Sequence, residues 1–362
     1  MYKILIKRFL LVIMFALSVL SCRQREHANK NYNTTDNLFK TDSIGITTLH
    51  SMEAEYIEID DIFLAAPTSL CYHSDNFLII NDSGDSKQLV IIDLENKSFC
   101  REIQKGRANN ELINLWDVVV FNDDLFLSSI NERKAIKMKY DSEARKFHFS
   151  ESRLFPQQFL HCSPTNTGYL TFASASSGNR FVRWTENLEP IDTIGSYPKE
   201  GVENYTEAEN GALQSDFAFS PDGERMVVSY KNIDYIDLYA GDNLIKRIRG
   251  PKEYEVTVRT DNLGNGGNSM TYLTPLYFAY KSISASSSGF WAGYIGLKPP
   301  PGMVPTQDMN RIREVYHFDW EGNLQKIYKF TTPVDAFVIN DCSNIMYCIQ
   351  NDPEPAILMY KL

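Results

Sequence analysis

The sequence predicts an all-β fold, a six-bladed β-propeller with four-stranded antiparallel blades. Three observations carry that prediction. The 362 residues include 20 Tyr, 21 Phe and 4 Trp, set in short alternating runs separated by Asp, Asn, Gly and Ser. One strand–turn–strand unit recurs at roughly 40–50 residues, the spacing of propeller blades. The last unit is one strand short, and an unmatched alternating strand precedes the first.

In chain order, Lys3, Lys7 and Arg8 give a basic start, and residues 9–20 are apolar apart from Ser18. That run is too short to span a bilayer as a helix, which needs roughly 20 residues, and it reads as a secretory signal over 1–21. It ends at Val19, Leu20, Ser21 and Cys22, which resembles a bacterial lipobox. Cys22 is therefore the expected acylated N-terminus and membrane anchor, with an ordinary signal peptide as the alternative. Acyl chains contribute about 0.8 kcal/mol per buried CH₂. Residues 22–50, polar and without apolar period, read as lipidated cysteine and flexible tether. The propeller is expected over 51–362.

Removing residues 1–21 takes away three cations and no anion, leaving 33 cations against 46 anions and a net charge of −13. Nucleic acid is excluded as a partner, because neutralising a phosphate backbone needs clustered Lys and Arg. Beyond Cys22 there remain Cys71, Cys100, Cys162, Cys342 and Cys348, an odd number without CxxC spacing. They read as buried free thiols and form neither a disulfide framework nor a zinc site.

The strand at Glu55–Ile59 alternates and stands alone, so it is assigned to the C-terminal blade, closing the ring and removing an exposed edge. The third strand of each unit follows in residues 89–94 (LVIIDL), 136–140 (IKMKY), 181–184 (FVRW), 235–239 (YIDLY), 315–320 (VYHFDW) and 356–360 (AILMY). Their last residues, Leu94, Tyr140, Trp184, Tyr239, Trp320 and Tyr360, are spaced by 46, 44, 55, 81 and 40. The 81-residue interval has room for a seventh blade, the alternative count. First hairpins repeat as well, in residues 117–127, 217–228 and 335–346, with Pro221-Asp222-Gly223 as the clearest turn.

Five stretches carry a family resemblance: LIINDSGDSK at 78–87, KGRANNEL at 105–112, FSPDG at 219–223, LIKRIRGP at 244–251 and NDPEP at 351–355. From about residue 54 onward the chain resembles the TolB-like six-bladed β-propeller lipoproteins of Gram-negative bacteria. The second stretch departs from the family's Gly-rich loop at Ala108 and Asn109. The resemblance implies the fold and, by analogy of fold, protein partners in the cell envelope. It implies no reaction.

No HExxH, GxSxG, Walker or GxGxxG pattern occurs, and residues 264–267 (GNGG) lack the strand–helix context of a phosphate cradle. Aligning the units places Ser69, Asp117, His161, Asp216, Lys281 and Asp335 at the leading ends of the six innermost strands, around the mouth of a central channel. Three Asp and one His offer ligands for a divalent cation, so a metal-dependent propeller hydrolase or lyase is the alternative function. Against it, Lys281 opposes a cation and no Glu or Asn completes a hard-ion set. The plainer reading is a wet channel where Asp accepts bonds from strand-end N–H groups. No metal and no cofactor are expected.

The three long insertions, residues 196–214, 249–280 and 296–311, fall on that same face and carry Tyr197, Tyr205, Tyr254, Tyr272 and Arg311. Arg107 in the loop after the first unit joins them as a candidate binding residue. Insertions gathered on one face of a repeat fold make a binding face, and aromatic residues among charges suit a protein, peptide or glycan. The expected function is non-catalytic recognition or assembly at the envelope. The expected location is lipid-anchored at the outer membrane and facing the periplasm, since residues 23–26 (RQRE) lack an acidic surface-export cluster.

Overall fold

The computed structural model describes residues 44–173, 180–195, 197, 213–252, 254, 258–262, 268–272, 277–300, 303 and 306–362. The chain divides into two units, Met1–Thr34 and Thr35–Leu362, and all the blades belong to the second.

Strands β1 (Ile46–Leu49) and β2 (Glu55–Tyr56) precede the blades. Blade I comprises β3 (Pro67–His73), β4 (Phe77–Asp82), β5 (Lys87–Asp93) and β6 (Ser98–Gln104). Blade II comprises β7 (Asp117–Phe121), β8 (Asp124–Ser129), β9 (Lys134–Asp141) and β10 (Lys146–Leu154). Blade III follows as β11 (Phe159–Thr165), β12 (Gly168–Ala173), β13 (Phe181–Thr185) and β14 (Pro190–Ile194). Blade IV is β15 (Ser215–Phe219), β16 (Arg225–Tyr230), β17 (Tyr235–Ala240) and β18 (Asn243–Arg249). Next comes a hairpin, β19 (Val258–Asn262) and β20 (Asn268–Tyr272), which pair only with each other among the described residues. Blade V is β21 (Phe278–Ala285), β22 (Phe290–Leu297), β23 (Ile312–Phe318) and β24 (Leu324–Val334). Blade VI is β25 (Ala336–Asn340), β26 (Ile345–Gln350) and β27 (Ala356–Lys361), completed by β2.

The long interval after blade IV thus holds a two-stranded hairpin, and the blade count is six. Three of the repeated turns share one chemistry. Asp93 Oδ1 accepts the backbone N–H groups of Glu95 and Asn96, Asp141 Oδ1 those of Glu143 and Ala144, and Asp319 Oδ1 those of Glu321 and Asn323. An Asx side chain holding its own turn is the local signal that made the repeat visible.

Ring closure follows the strand count. Glu55 pairs with Met359 and Tyr56 with Leu358, and the Ile57 N–H donates to Ile357 O at 3.0 Å. The strand is shorter than expected, because the chain leaves the sheet after Tyr56 and buries Ile59 and Leu64 between blades VI and I. Residues 46–49, expected as tether, instead form a strand: β1 lies parallel to β24, from Ile46 opposite Ile327 to Leu49 opposite Phe330. Leu49 is buried among Tyr328, Phe330, Phe337 and Tyr360.

The core lies in six seams, one between each pair of neighbouring blades. Typical is the seam between blades IV and V, where Ile236 and Leu238 meet Tyr280, Phe290 and Tyr294. Each seam needs two blades to bury its apolar faces, so stability rests on closing the ring. Of the five remaining cysteines, all are free; Cys162 and Cys348 are buried, but Cys100 and Cys342 are exposed, contrary to expectation. Cys342 sits in the turn after β25, clear of the sheet, and Cys100 on the outermost strand of blade I.

Candidate functional site

Neighbouring innermost strands lie against one another, β3 on β7, β7 on β11, β15 on β21, β21 on β25, and β25 back on β3. Between β11 and β15 the link is polar. His161 Nδ1 donates to Asp117 Oδ2 on β7 at 2.5 Å, and His161 Nε2 lies 3.0 Å from Asp216 Oδ1 on β15. Lys231, just past β16, reaches Asp216 Oδ1 at 3.1 Å. One chain of charges, Asp117–His161–Asp216–Lys231, therefore clips blades II, III and IV together at the mouth.

Burial alone would push the His161 imidazole down. The charges and hydrogen bonds of Asp117, then of Asp216, outweigh it and hold the pKa up at about 9. Asp216 resists its own desolvation through Lys231 and His161, and its carboxyl lies far below the usual range. At neutral pH His161 is thus an imidazolium with both nitrogens donating. Such a ring has no lone pair for a metal.

The rest of the mouth comes from blades V and VI. Asp335, at the leading end of β25, lies 3.5 Å from Arg311 Nε and accepts the Asn351 N–H at 2.8 Å. Lys281 on β21 donates to Asn310 O at 3.0 Å. Ser69 sits on β3 opposite Asn81. The structure therefore sets all six predicted positions on the innermost strands or at their leading ends, and joins Asp117, His161 and Asp216 directly. Among the described residues no three His, Cys, Asp or Glu are grouped to hold a metal ion. Sequence reasoning missed Lys231, whose place one residue past a second strand carries no motif.

The loop candidates divide. Tyr197 is 4% exposed and packs on Phe172 and Arg180, so it is core and unavailable to a partner. Arg311 is 6% exposed and committed to Asp335, Asp308 and Asp352. Both were expected as contacts because their loops are long; their rings and guanidinium instead anchor those loops. Tyr254 is half-buried, stacked on Tyr277 with ring centroids 4.1 Å apart. Tyr272 ends β20, and Tyr205 lies outside the described residues, as do Cys22 and residues 264–267.

Arg107 is exposed, on the loop that leads from blade I to blade II. Three buried polar side chains fix the backbone of residues 105–116. Lys134 donates to Ala108 O at 2.6 Å and Glu111 O at 2.7 Å. Gln88 donates to Leu112 O and accepts from Leu115 N, each at 2.8 Å. Asn81 donates to Leu115 O at 3.0 Å. Leu112 and Leu115 plug the core, whereas Ile113 and Trp116 stay 39% and 45% exposed. Trp116 immediately precedes Asp117 of the mouth. The sequence signalled this loop only through its family-like KGRANNEL stretch, and the exposed Trp116 had no signal at all.

Arg180, Asp237 and Arg247 form a buried ionic cluster in which Asp237 also accepts from Tyr230 at 2.8 Å; it is sealed from solvent and structural. A cavity of about 490 Å³ opens between blades II and III, at the opposite strand ends, between Lys139, Arg153, Asn166, Tyr169 and Glu186.

No family model and no curated protein matches the chain. Solved structures do. An exported protein of Bacteroides fragilis is 15% identical, with a TM-score of 0.53 over 87% of this chain and 98% of that one. A member of the DUF4221 family from Bacteroides vulgatus is 12% identical, with a TM-score of 0.53 over 85% of this chain and 97% of that one. At such identities the likeness is one of fold.

Proposed function

We propose that this chain is a lipid-anchored, extracytoplasmic β-propeller of the TolB-like lipoprotein kind, recognising a protein, peptide or glycan on its channel-mouth face without catalysing a reaction. The observation that carries this reading is the loop 105–116. Three buried polar side chains are spent on holding its backbone, while its own Trp116, Ile113 and Arg107 face solvent. Pre-organised Trp and Arg are the residues that dominate binding energy at interfaces. The doubly hydrogen-bonded imidazolium of His161 counts against the metal-dependent alternative.

The test is co-purification from envelope extract with wild type and with Arg107→Ala/Trp116→Ala. Recovery of the wild-type partner should fall at least about tenfold in the double variant, since one such residue contributes 2 kcal/mol or more. Equal recovery with intact folding sinks this reading.

The location rests on the lipobox at Cys22, and the neighbouring exported protein of Bacteroides fragilis is consistent with it. Changing Cys22→Ala should move the protein from the membrane pellet to the soluble fraction. A variant that still pellets after carbonate washing has another anchor.

A further inference from the structure

Lys281 is placed by an irregularity that a plain propeller strand would not have. On β21 the pairing with β22 breaks between Tyr280, opposite Tyr294, and Ile283, opposite Ala292. Lys281 and Ser282 together face Gly293, two residues against one, which is a β-bulge. Ser282 takes a left-handed backbone at φ 67°. The Lys281 carbonyl presses so close to β22 that a Cβ at Gly293 would stand 2.3 Å from it. Bulges re-aim side chains next to functional sites, and left-handed non-glycine residues persist there when the surroundings enforce them.

What the bulge aims is a cation with no carboxylate within ion-pair distance among the described residues; Asp335 and Asp216, whose charges it feels, are each paired with other cations. Among the described residues, the Lys281 ammonium has a single hydrogen bond, to the Asn310 carbonyl. The other mouth charges are matched. Asp117 and Asp216 are matched by His161 and Lys231, and Asp335 by Arg311. Asp308 and Asp352, the outer partners of Arg311, are 68% and 72% exposed and screened by water. With those two exposed carboxylates set aside, His161, Lys231, Arg311 and Lys281 outnumber Asp117, Asp216 and Asp335 by one positive charge, on a protein that is acidic overall.

We propose that the channel mouth is an oxyanion subsite in which Lys281 receives a carboxylate of the bound ligand. The inference rests on the recognition reading above and names the chemistry of its ligand. A carboxylate on Lys281 forms a charge-assisted hydrogen bond in a partly desolvated setting, where such bonds are strongest. Burial, with Lys231 and Arg311 against Asp335 and Asp216, holds the Lys281 amine below the usual lysine range. A bound carboxylate raises it, which gives a readout independent of affinity.

The experiment uses tri-alanine, its C-terminal amide and propionate as probes, titrated into the purified chain by calorimetry. The lysine pKa values are followed by NMR of ¹³C-methylated protein, and Lys281→Met assigns the Lys281 signal. Tri-alanine should bind and raise the Lys281 pKa, and its amide should bind at least about tenfold more weakly. Lys281→Met should lose the difference between acid and amide, and Lys281→Arg should keep it. Propionate binding as well as tri-alanine assigns the site to free small acids; tri-alanine alone assigns it to a peptide chain end. Equal binding of acid and amide, no binding of either acid, or an unchanged response in a folded Lys281→Met overturns the subsite. Partner capture that is lost in Arg107→Ala/Trp116→Ala but intact in Lys281→Met overturns the carboxylate subsite alone and leaves recognition standing.

Discussion

His161 shows how a residue chosen for its chemistry in the sequence acquires a different role once its neighbours are known. A histidine aligned with aspartates reads equally as a metal ligand or as a hydrogen-bonding channel residue. The two carboxylates 2.5 and 3.0 Å from its opposite nitrogens select the second. Its folded pKa, near 9, is above the unfolded value of about 6.5. Its contribution to stability is therefore fully present below pH 6.5 and is lost as the pH rises through 9. At about 1.4 kcal/mol per unit, that contribution is on the order of 3 kcal/mol. Thermal melts from pH 7 to 10 should show the wild type losing stability more steeply than His161→Gln, which keeps a donor but no titration. Parallel slopes would show that the clip carries no charge at neutral pH. Tyr197 and Arg311 teach the complementary lesson, since loop length put them on the binding face and packing put them in the core. A single sequence does not say whether an aromatic in a long loop points out or in. That is decided by which cavity between blades is left to fill, as Tyr197 fills the one beside Phe172 and Arg180.

At the scale of elements, what was legible had a local cause. The six third strands showed because each ends in an apolar or aromatic residue, and three of them run into an Asp-held turn, at Asp93, Asp141 and Asp319. Asx turns and alternating runs are written within a few residues of chain. Elements specified by distant partners were not legible. Strand β1 is four residues, two of them Thr, and its pairing partner β24 lies about 280 residues further on. Nothing local in the sequence separates it from the polar residues before it. The bulge at Lys281 and Ser282 is likewise invisible, because it is fixed by Gly293 on the next strand. The ordered loop 105–116 was visible only as a resemblance; Gln88, Lys134 and Asn81, which hold it, lie on strands of two blades. Candidate positions at the mouth could be aligned by counting strands, whereas their partners could not.

For the molecule as a whole, the N-terminal segment does two jobs that separate experimentally. Strand β1 adds to the outer edge of blade V and buries Leu49, while β2 and the residues after it complete blade VI and fill the seam to blade I. Starting the chain at Ser51 removes β1 alone. The loss is the burial of one Leu, about 1.5–3 kcal/mol, and a few edge hydrogen bonds at about 0.5–1.5 kcal/mol each; the ring stays closed. Starting at Asp61 also removes Glu55–Tyr56, Ile57 and the buried Ile59, and bares the edge of β27. The seam between blades VI and I loses its outer packing, and the exposed strand becomes a template for pairing with a second molecule. The shorter chain should melt well below the Ser51 chain, which in turn should melt modestly below the chain that retains β1. It alone should aggregate in a concentration-dependent way. The ordering is the test, because a domain is stable by only about 5–15 kcal/mol and the two truncations remove different shares of that margin. Should the Asp61 chain melt with the Ser51 chain, β2 contributes nothing to closure and the packing of blade VI on blade I without it holds the ring. Should the Ser51 chain already collapse, blade V depends on its fifth strand.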